Sequence, residues 1–135
     1  MEDDELTEKV IGAAIKVHRV LGPGLLESVY EECLCIELGL QKVPFVRQKL
    51  IPIIYEGILI AAELRFDLLV ADRVVVELKC VEKLAPIHEA QLLTYLRLIQ
   101  RRVGLLINSH VPVLKDGIRR MVKGYPDSVS PCLGG

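Results

Sequence analysis

Residues 74–79 read VVVELK, a strand-like run of valines that carries Glu77 and Lys79 two positions apart. Alternate side chains of a strand share a face, so this carboxylate and ammonium point the same way, roughly 6–7 Å apart. Burying two charges costs several kcal/mol each unless geometry and added hydrogen bonds offset it. Upstream, FDLLV contains Asp67, and ADR separates that run from VVVELK. If Ala71-Asp72-Arg73 is a three-residue loop, Val70 faces Val74 and Asp67 lies opposite Glu77, with Cβ atoms about 4.5–5.5 Å apart. A two-residue loop would send the two carboxylates to opposite faces. Facing carboxylates repel, and Lys79 alone does not neutralise them. A divalent cation would, since Mg²⁺ prefers one or two carboxylates with water and phosphate in its other positions. An ammonium beside it would polarise an attacking water or steady a phosphate in its transition state. An ordinary charged face on a surface hairpin accounts for the same letters, and the pair alone leaves both readings open.

Two other stretches offer polar groups. Glu27 and Tyr30 are three apart, with Glu31 next, so they can share a helical face. Glu27 in a first helical turn would also complement the helix dipole, worth about 0.3–1 kcal/mol. His88, Gln91 and Tyr95 form a polar stripe on an otherwise Leu-rich segment, which a solvated helix edge would also explain.

The elements that must position these groups follow from periodicity. Residues 5–21 show helical spacing, with Leu6, Val10, Ala14, Val17, Val20 and Leu21 on one apolar face. Gly22-Pro23-Gly24 breaks it, and a second helix runs from about Leu25 to Leu38 with Gly39 as C-cap. From Pro44 the period becomes two. Strands are predicted over Phe45–Tyr55, about Ile58–Val70 and about Val74–Cys80, with Pro52 marking an edge or a bulge. Pro86 opens a helix to about Arg102, and Val103–Asn108 is a buried strand parallel to its neighbour. Leu114–Lys123 reads as one more helix, and residues 124–135 as a loose tail. The order is α-α-β-β-β-α-β-α: a mixed central sheet flanked by helices, α/β of the α+β type, in one domain over residues 1–123.

Composition narrows the function. The 135 residues are 51% hydrophobic, which excludes disorder for the body of the chain. A net charge of −1 gives no global pull on nucleic acid, and with no Trp and two Phe a base-stacking platform is unsupported. MEDDELTEK lacks a signal-peptide h-region, and charges interrupt every long apolar run, so a cytoplasmic protein without a membrane partner is expected. Cys33, Cys35, Cys80 and Cys132 form no CxxC pair and read as reduced, packed thiols.

Gly24–Tyr30 reads G-x-x-E-x-x-Y, Asp67 to Lys79 reads D-x₉-E-x-K, and Gln91–Tyr95 reads Q-x-x-x-Y. Set in this order, they resemble the GxxExxY branch of the PD-(D/E)XK nuclease superfamily, from about Glu5 to Lys123. The resemblance implies a restriction-endonuclease-like core and metal-dependent hydrolysis of phosphodiester bonds in nucleic acid, DNA foremost. It implies Mg²⁺ or Mn²⁺ held by Asp67, Glu77 and the backbone carbonyl of Leu78, with Glu27 reaching the metal directly or through water. Lys79 would orient or activate the hydrolytic water, and Gln91 and Tyr95 would line the site. Phe66 stands where the superfamily's name has proline. No added DNA-recognition domain is expected, which argues against sequence-specific cutting by one subunit, and a homodimer is attractive because one small domain has little surface for gripping a duplex. The alternative is the same fold kept as a nucleic-acid- or protein-binding module without turnover.

Lys115, Arg119 and Lys123, four apart, would share one face of the expected last helix and are candidate nucleic-acid contacts together with Tyr30. Arg97, Arg101 and Arg102 form a second basic group. His18 reads as a packing histidine.

Overall fold

The computed structural model describes residues 2–124, so most of the expected tail, including Cys132, lies outside the described residues. Helices α1 (Asp3–Leu21) and α2 (Glu27–Leu40) open the chain. They are followed by β1 (Phe45–Tyr55), β2 (Ile58–Val70), β3 (Val74–Lys79), α3 (Pro86–Ile99), β4 (Val103–Asn108) and β5 (Ile118–Val122). The five strands form one mixed sheet in the order β1-β2-β3-β4-β5. Among the described residues only β3 and β4 pair in parallel, as expected for strands joined through a helix.

Each face of the sheet has its own core. Leu6, Val10, Ala13 and Ala14 of α1 and Leu34 and Leu38 of α2 pack on Leu68, Val70, Val74, Val76, Leu78, Leu105 and Ile107. Leu92 and Leu96 of α3 pack on Phe66, Leu69, Val75 and Leu106 from the other side. The helical reading of α1 holds, except that Val20 is 76% exposed. His18 is buried with its Nε2 2.8 Å from the Val111 carbonyl, a packing histidine as expected.

Three elements differ from expectation, the first being α3, which stops at Ile99 with Gln100 as C-cap rather than running to about Arg102. Helix α2 continues past Gly39 to Leu40, with Gln41 as C-cap. The segment after β4 is not a helix: Leu114–Gly117 makes a single 3₁₀ turn and Ile118–Val122 pairs antiparallel with β4. All six residues of β4 are buried, so its outer row of N–H and C=O groups needs a partner, and β5 supplies one. Consequently Lys115, Arg119 and Lys123 do not share a helical face. Lys115 is on the 3₁₀ turn, Arg119 on β5, and Lys123 lies beyond its end. Arg119 comes within 3.8 Å of Glu89, and Arg101 is tied to Asp72 at 2.8 Å.

Strand β1 is an edge strand, and its register on β2 shifts between Ile51 and Ile53, where Pro52 stands. The β1–β2 hairpin carries exposed apolar side chains at Leu50, Ile54, Tyr55, Ile58 and Leu59. Among the described residues no helix is long and apolar enough to cross a membrane.

Candidate active site

The loop between β2 and β3 has the length that decides the parity of the hairpin. Ala71 and Asp72 both take positive φ, 51° and 57°, which suits the twist of a tight hairpin, and Arg73 N–H closes the turn on the Val70 carbonyl at 2.9 Å. Val70 therefore pairs with Val74, Leu69 with Val75 and Leu68 with Val76. One step further the register puts Asp67 across from Glu77, but backbone pairing stops. Instead Asp67 N–H donates to Glu77 Oε1 at 2.8 Å, and Leu78 N–H donates to Asp67 Oδ2 at 2.7 Å. Phe66 and Leu69, three apart, both pack against α3, so strict alternation breaks at Asp67. The site sits where β2 and β3 part, open to groups from both layers of helix.

From the α2 side comes Glu27, first residue of that helix. Gly22 and Gly24 hold positive φ of 72° and 99° in the preceding turn, a conformation that glycine adopts without steric cost. Tyr30 is buried, its hydroxyl donating to the Gly22 carbonyl and accepting from Leu25 N–H. The Gly and Tyr of G-x-x-E-x-x-Y thus clamp the turn that presents the Glu. Tyr30 as a nucleic-acid contact is set aside: it is 4% exposed and its hydroxyl is committed.

From α3 comes Tyr95, half-buried against Phe66 with ring centroids 6.1 Å apart. Gln91 is exposed one turn earlier, on the same side of α3 by its spacing. His88 is a cap, its Nδ1 accepting the Ala85 N–H at 2.9 Å.

The charges of these groups act on one another. Burial pushes Glu77 up from 4.5 to about 7, and the Asp67 charge adds to it, against the Asp67 N–H and Lys79. Asp67 is raised by burial first and by Glu31, while Leu78 N–H, Gln48 and Lys79 oppose the rise. Glu27, although at the surface, is raised by partial desolvation of its carboxylate, then by Asp67, against Lys79 and the Cys80 backbone. Tyr95 is raised by burial, then by Glu77 and Asp67. Glu27, Asp67, Glu77, Lys79 and Tyr95 therefore share one electrostatic environment.

Among the described residues no group of three or more His, Cys, Asp or Glu side chains is gathered to hold a metal ion. The donor chemistry nonetheless fits a hard divalent cation: mutually repelling carboxylate oxygens, each carboxylate having about four lone-pair sites, of which the backbone N–H bonds use only some. The Leu78 N–H faces β2, and N–H and C=O of one strand residue lie on the same edge, so its carbonyl is on the β2 side as well.

Two residues beside the site went unassigned in the sequence reading. Gln48 donates through Nε2 to Glu31 Oε1 at 2.8 Å, to Glu31 Oε2 at 3.1 Å and to Asp67 Oδ1 at 3.3 Å. Glu31, 7% exposed, also accepts from Arg47 at 3.0 Å. Gln48 has φ 49° inside a strand, a strain of order 1–3 kcal/mol for a non-glycine residue. Extrapolating the register from the Glu56-Gly57 turn would set Gln48 opposite Arg65. The shift at Pro52 sets it opposite Asp67, between the pairs Arg47↔Leu68 and Lys49↔Phe66.

A mixed sheet with helices on both faces and an acidic cluster at a strand divergence is a restriction-endonuclease-like arrangement. A family model for the PD-(D/E)XK nuclease superfamily matches residues 4–121, and the chain belongs to that superfamily. No curated protein and no solved structure matches the chain.

Proposed function

We propose that this chain is a metal-dependent nuclease of the GxxExxY branch, hydrolysing phosphodiester bonds in nucleic acid, with DNA the first substrate to test. The observation that carries this reading is the interlocked pair Asp67 and Glu77 at the splay of β2 and β3, with Lys79 two residues on. Superfamily membership supplies the nuclease class. Asp67, Glu77, the Leu78 carbonyl and Glu27 would hold Mg²⁺ or Mn²⁺, which when bound lowers the pKa of water and offsets negative charge on phosphate. The burial that raises Glu77 disfavours its ionised form without a cation beside it. Lys79 supplies the positive charge facing a phosphate oxygen. Tyr95 and Gln91 border the site from α3 as hydrogen-bonding groups. A homodimer, doubling the surface that grips a duplex, belongs to the same proposal and is read as doubled mass in light scattering.

One observation favours the second reading, a binding module without turnover: both carboxylates are engaged with backbone N–H groups. Incubating labelled single-stranded DNA, duplex DNA and RNA with Mg²⁺ or Mn²⁺ separates the two. Cleavage lost in Asp67→Ala and Lys79→Ala supports the nuclease. Retained nucleic-acid binding with no cleavage under any metal supports the module.

A further inference from the structure

We propose that Gln48 is a positioning residue that fixes the Asp67 carboxylate in its metal-accepting orientation, itself aimed by the buried Glu31. This deepens the nuclease reading and rests on it. Asp67 receives one donor on each oxygen: Leu78 N–H on Oδ2 and Gln48 Nε2 on Oδ1. Two donors on two oxygens define the plane of a carboxylate, and each oxygen keeps acceptor capacity for a cation. The Gln48 amide must turn its nitrogen to these partners, because ionised carboxylates only accept.

The anchoring behind Gln48 is firm. Glu31 takes two contacts from Gln48, at 2.8 and 3.1 Å, and a third from Arg47 at 3.0 Å, whose other branch reaches Glu32 at 3.1 Å. Glu31 belongs to α2, the helix that begins with Glu27, so one helix contributes a site carboxylate and the anchor for its neighbour on the sheet. The left-handed backbone at Gln48 fits this account, since a strained conformation inside a strand persists only where its surroundings hold it. Partners that orient metal-ligating groups commonly matter 10–100-fold for affinity.

The test is calorimetric titration of Mn²⁺ into the wild type, Asp67→Ala, Gln48→Gly and Glu31→Gln, with thermal melts of the metal-free proteins alongside. Gln48→Gly removes the amide and relieves the positive φ, so the fold is retained. The expected result is Mn²⁺ affinity reduced about tenfold or more in Gln48→Gly at an unchanged or higher melting temperature, with a smaller loss in Glu31→Gln. Affinity within twofold of wild type in Gln48→Gly, with binding abolished in Asp67→Ala, overturns the inference and leaves the metal site standing. Unchanged binding in Asp67→Ala overturns the metal site and the inference with it. If Gln48→Gly melts early, the near-isosteric and uncharged Gln48→Met, which keeps the shape and loses the donor, is read by the same criterion.

Discussion

Asp67 and Glu77 each hold the other's strand: the Glu77 carboxylate accepts the Asp67 N–H at 2.8 Å, and the Asp67 carboxylate accepts the N–H of Leu78 at 2.7 Å. Ladder bonds between backbones end at Leu68 and Val76, so these two side chains continue the pairing. Asp67→Ala therefore removes the proposed ligand and an acceptor together. A hydrogen bond to a charged group contributes about 1.5–3 kcal/mol, but the charge removed is itself disfavoured by burial. The expected outcome is abolished Mn²⁺ binding and cleavage with a metal-free stability change of about 1 kcal/mol or less. Calorimetry and urea denaturation in EDTA measure the two effects separately.

The metal-free protein should lose stability as pH rises. Glu77 titrates near 7 when folded against 4.5 for an unperturbed carboxyl, so between those values the folded chain retains a proton that the unfolded chain has lost. Stability falls across that window and the loss is complete above it. At about 1.4 kcal/mol per pKa unit, Glu77 accounts for on the order of 3 kcal/mol at most. The raised Asp67 and Glu27 act in the same direction. Glu77→Gln should flatten the profile and be the more stable protein at pH 8 in EDTA. Added Mn²⁺ should restore the wild type by mass action, more strongly at pH 8 than at pH 6. Urea midpoints at pH 5, 6, 7 and 8, with and without Mn²⁺, decide it.

The Asp67–Glu77 relationship was legible because one short loop sets the parity of the hairpin, and Ala71-Asp72-Arg73 has the length that aligns them. The G-x-x-E-x-x-Y stretch was legible as a motif, but the part played by its Tyr was not, since only the folded turn shows Tyr30 bonded back to Gly22 and Leu25. Gln48 escaped because Pro52 signals an edge or a bulge but not the size of the register shift, and it is that shift that sets Gln48 opposite Asp67 rather than Arg65. The misread last element has a similar cause. Leu114, Ile118, Met121 and Val122 are spaced like a helix face, yet the open edge of the buried β4 outweighs that local pattern.

Lys79→Ala should separate binding from chemistry. Lys79 opposes the raised pKa values of Glu27, Asp67 and Glu77 while a cation at the same carboxylates would be repelled by it. At pH 8, where Glu77 is ionised, Mn²⁺ should bind the variant at least as tightly as the wild type. Cleavage should fall by about 10²–10³, the cost of losing one electrostatic donor to a transition state. Single-turnover rates and Mn²⁺ titrations on the same preparations give both numbers, and a parallel loss of metal affinity would remove Lys79 from the chemical step.

The end of β4 offers a test of how the scaffold holds Lys79. Ser109 N–H donates to the Lys79 carbonyl at 2.9 Å, and the Asn108 side chain bonds both N–H and C=O of Val81. Gly117 lies against this corner: a Cβ there would stand 2.4 Å from the Asn108 carbonyl oxygen, a backbone atom that can move only by shifting the end of β4. Gly117→Ala should destabilise by about 1–3 kcal/mol, the usual cost of overpacking. The surviving folded fraction should cleave more slowly, because the displaced Asn108 and Ser109 are the bonds that fix the Lys79–Val81 backbone. Gly12→Ala is the matched control: Gly12 lies in α1 with nothing within 4 Å of an added Cβ, so helix propensity predicts a gain of about 0.5–1 kcal/mol and unchanged kcat. Equal melting temperatures for the two variants would show that β4 tolerates movement at Asn108 and that Lys79 is not held from that side.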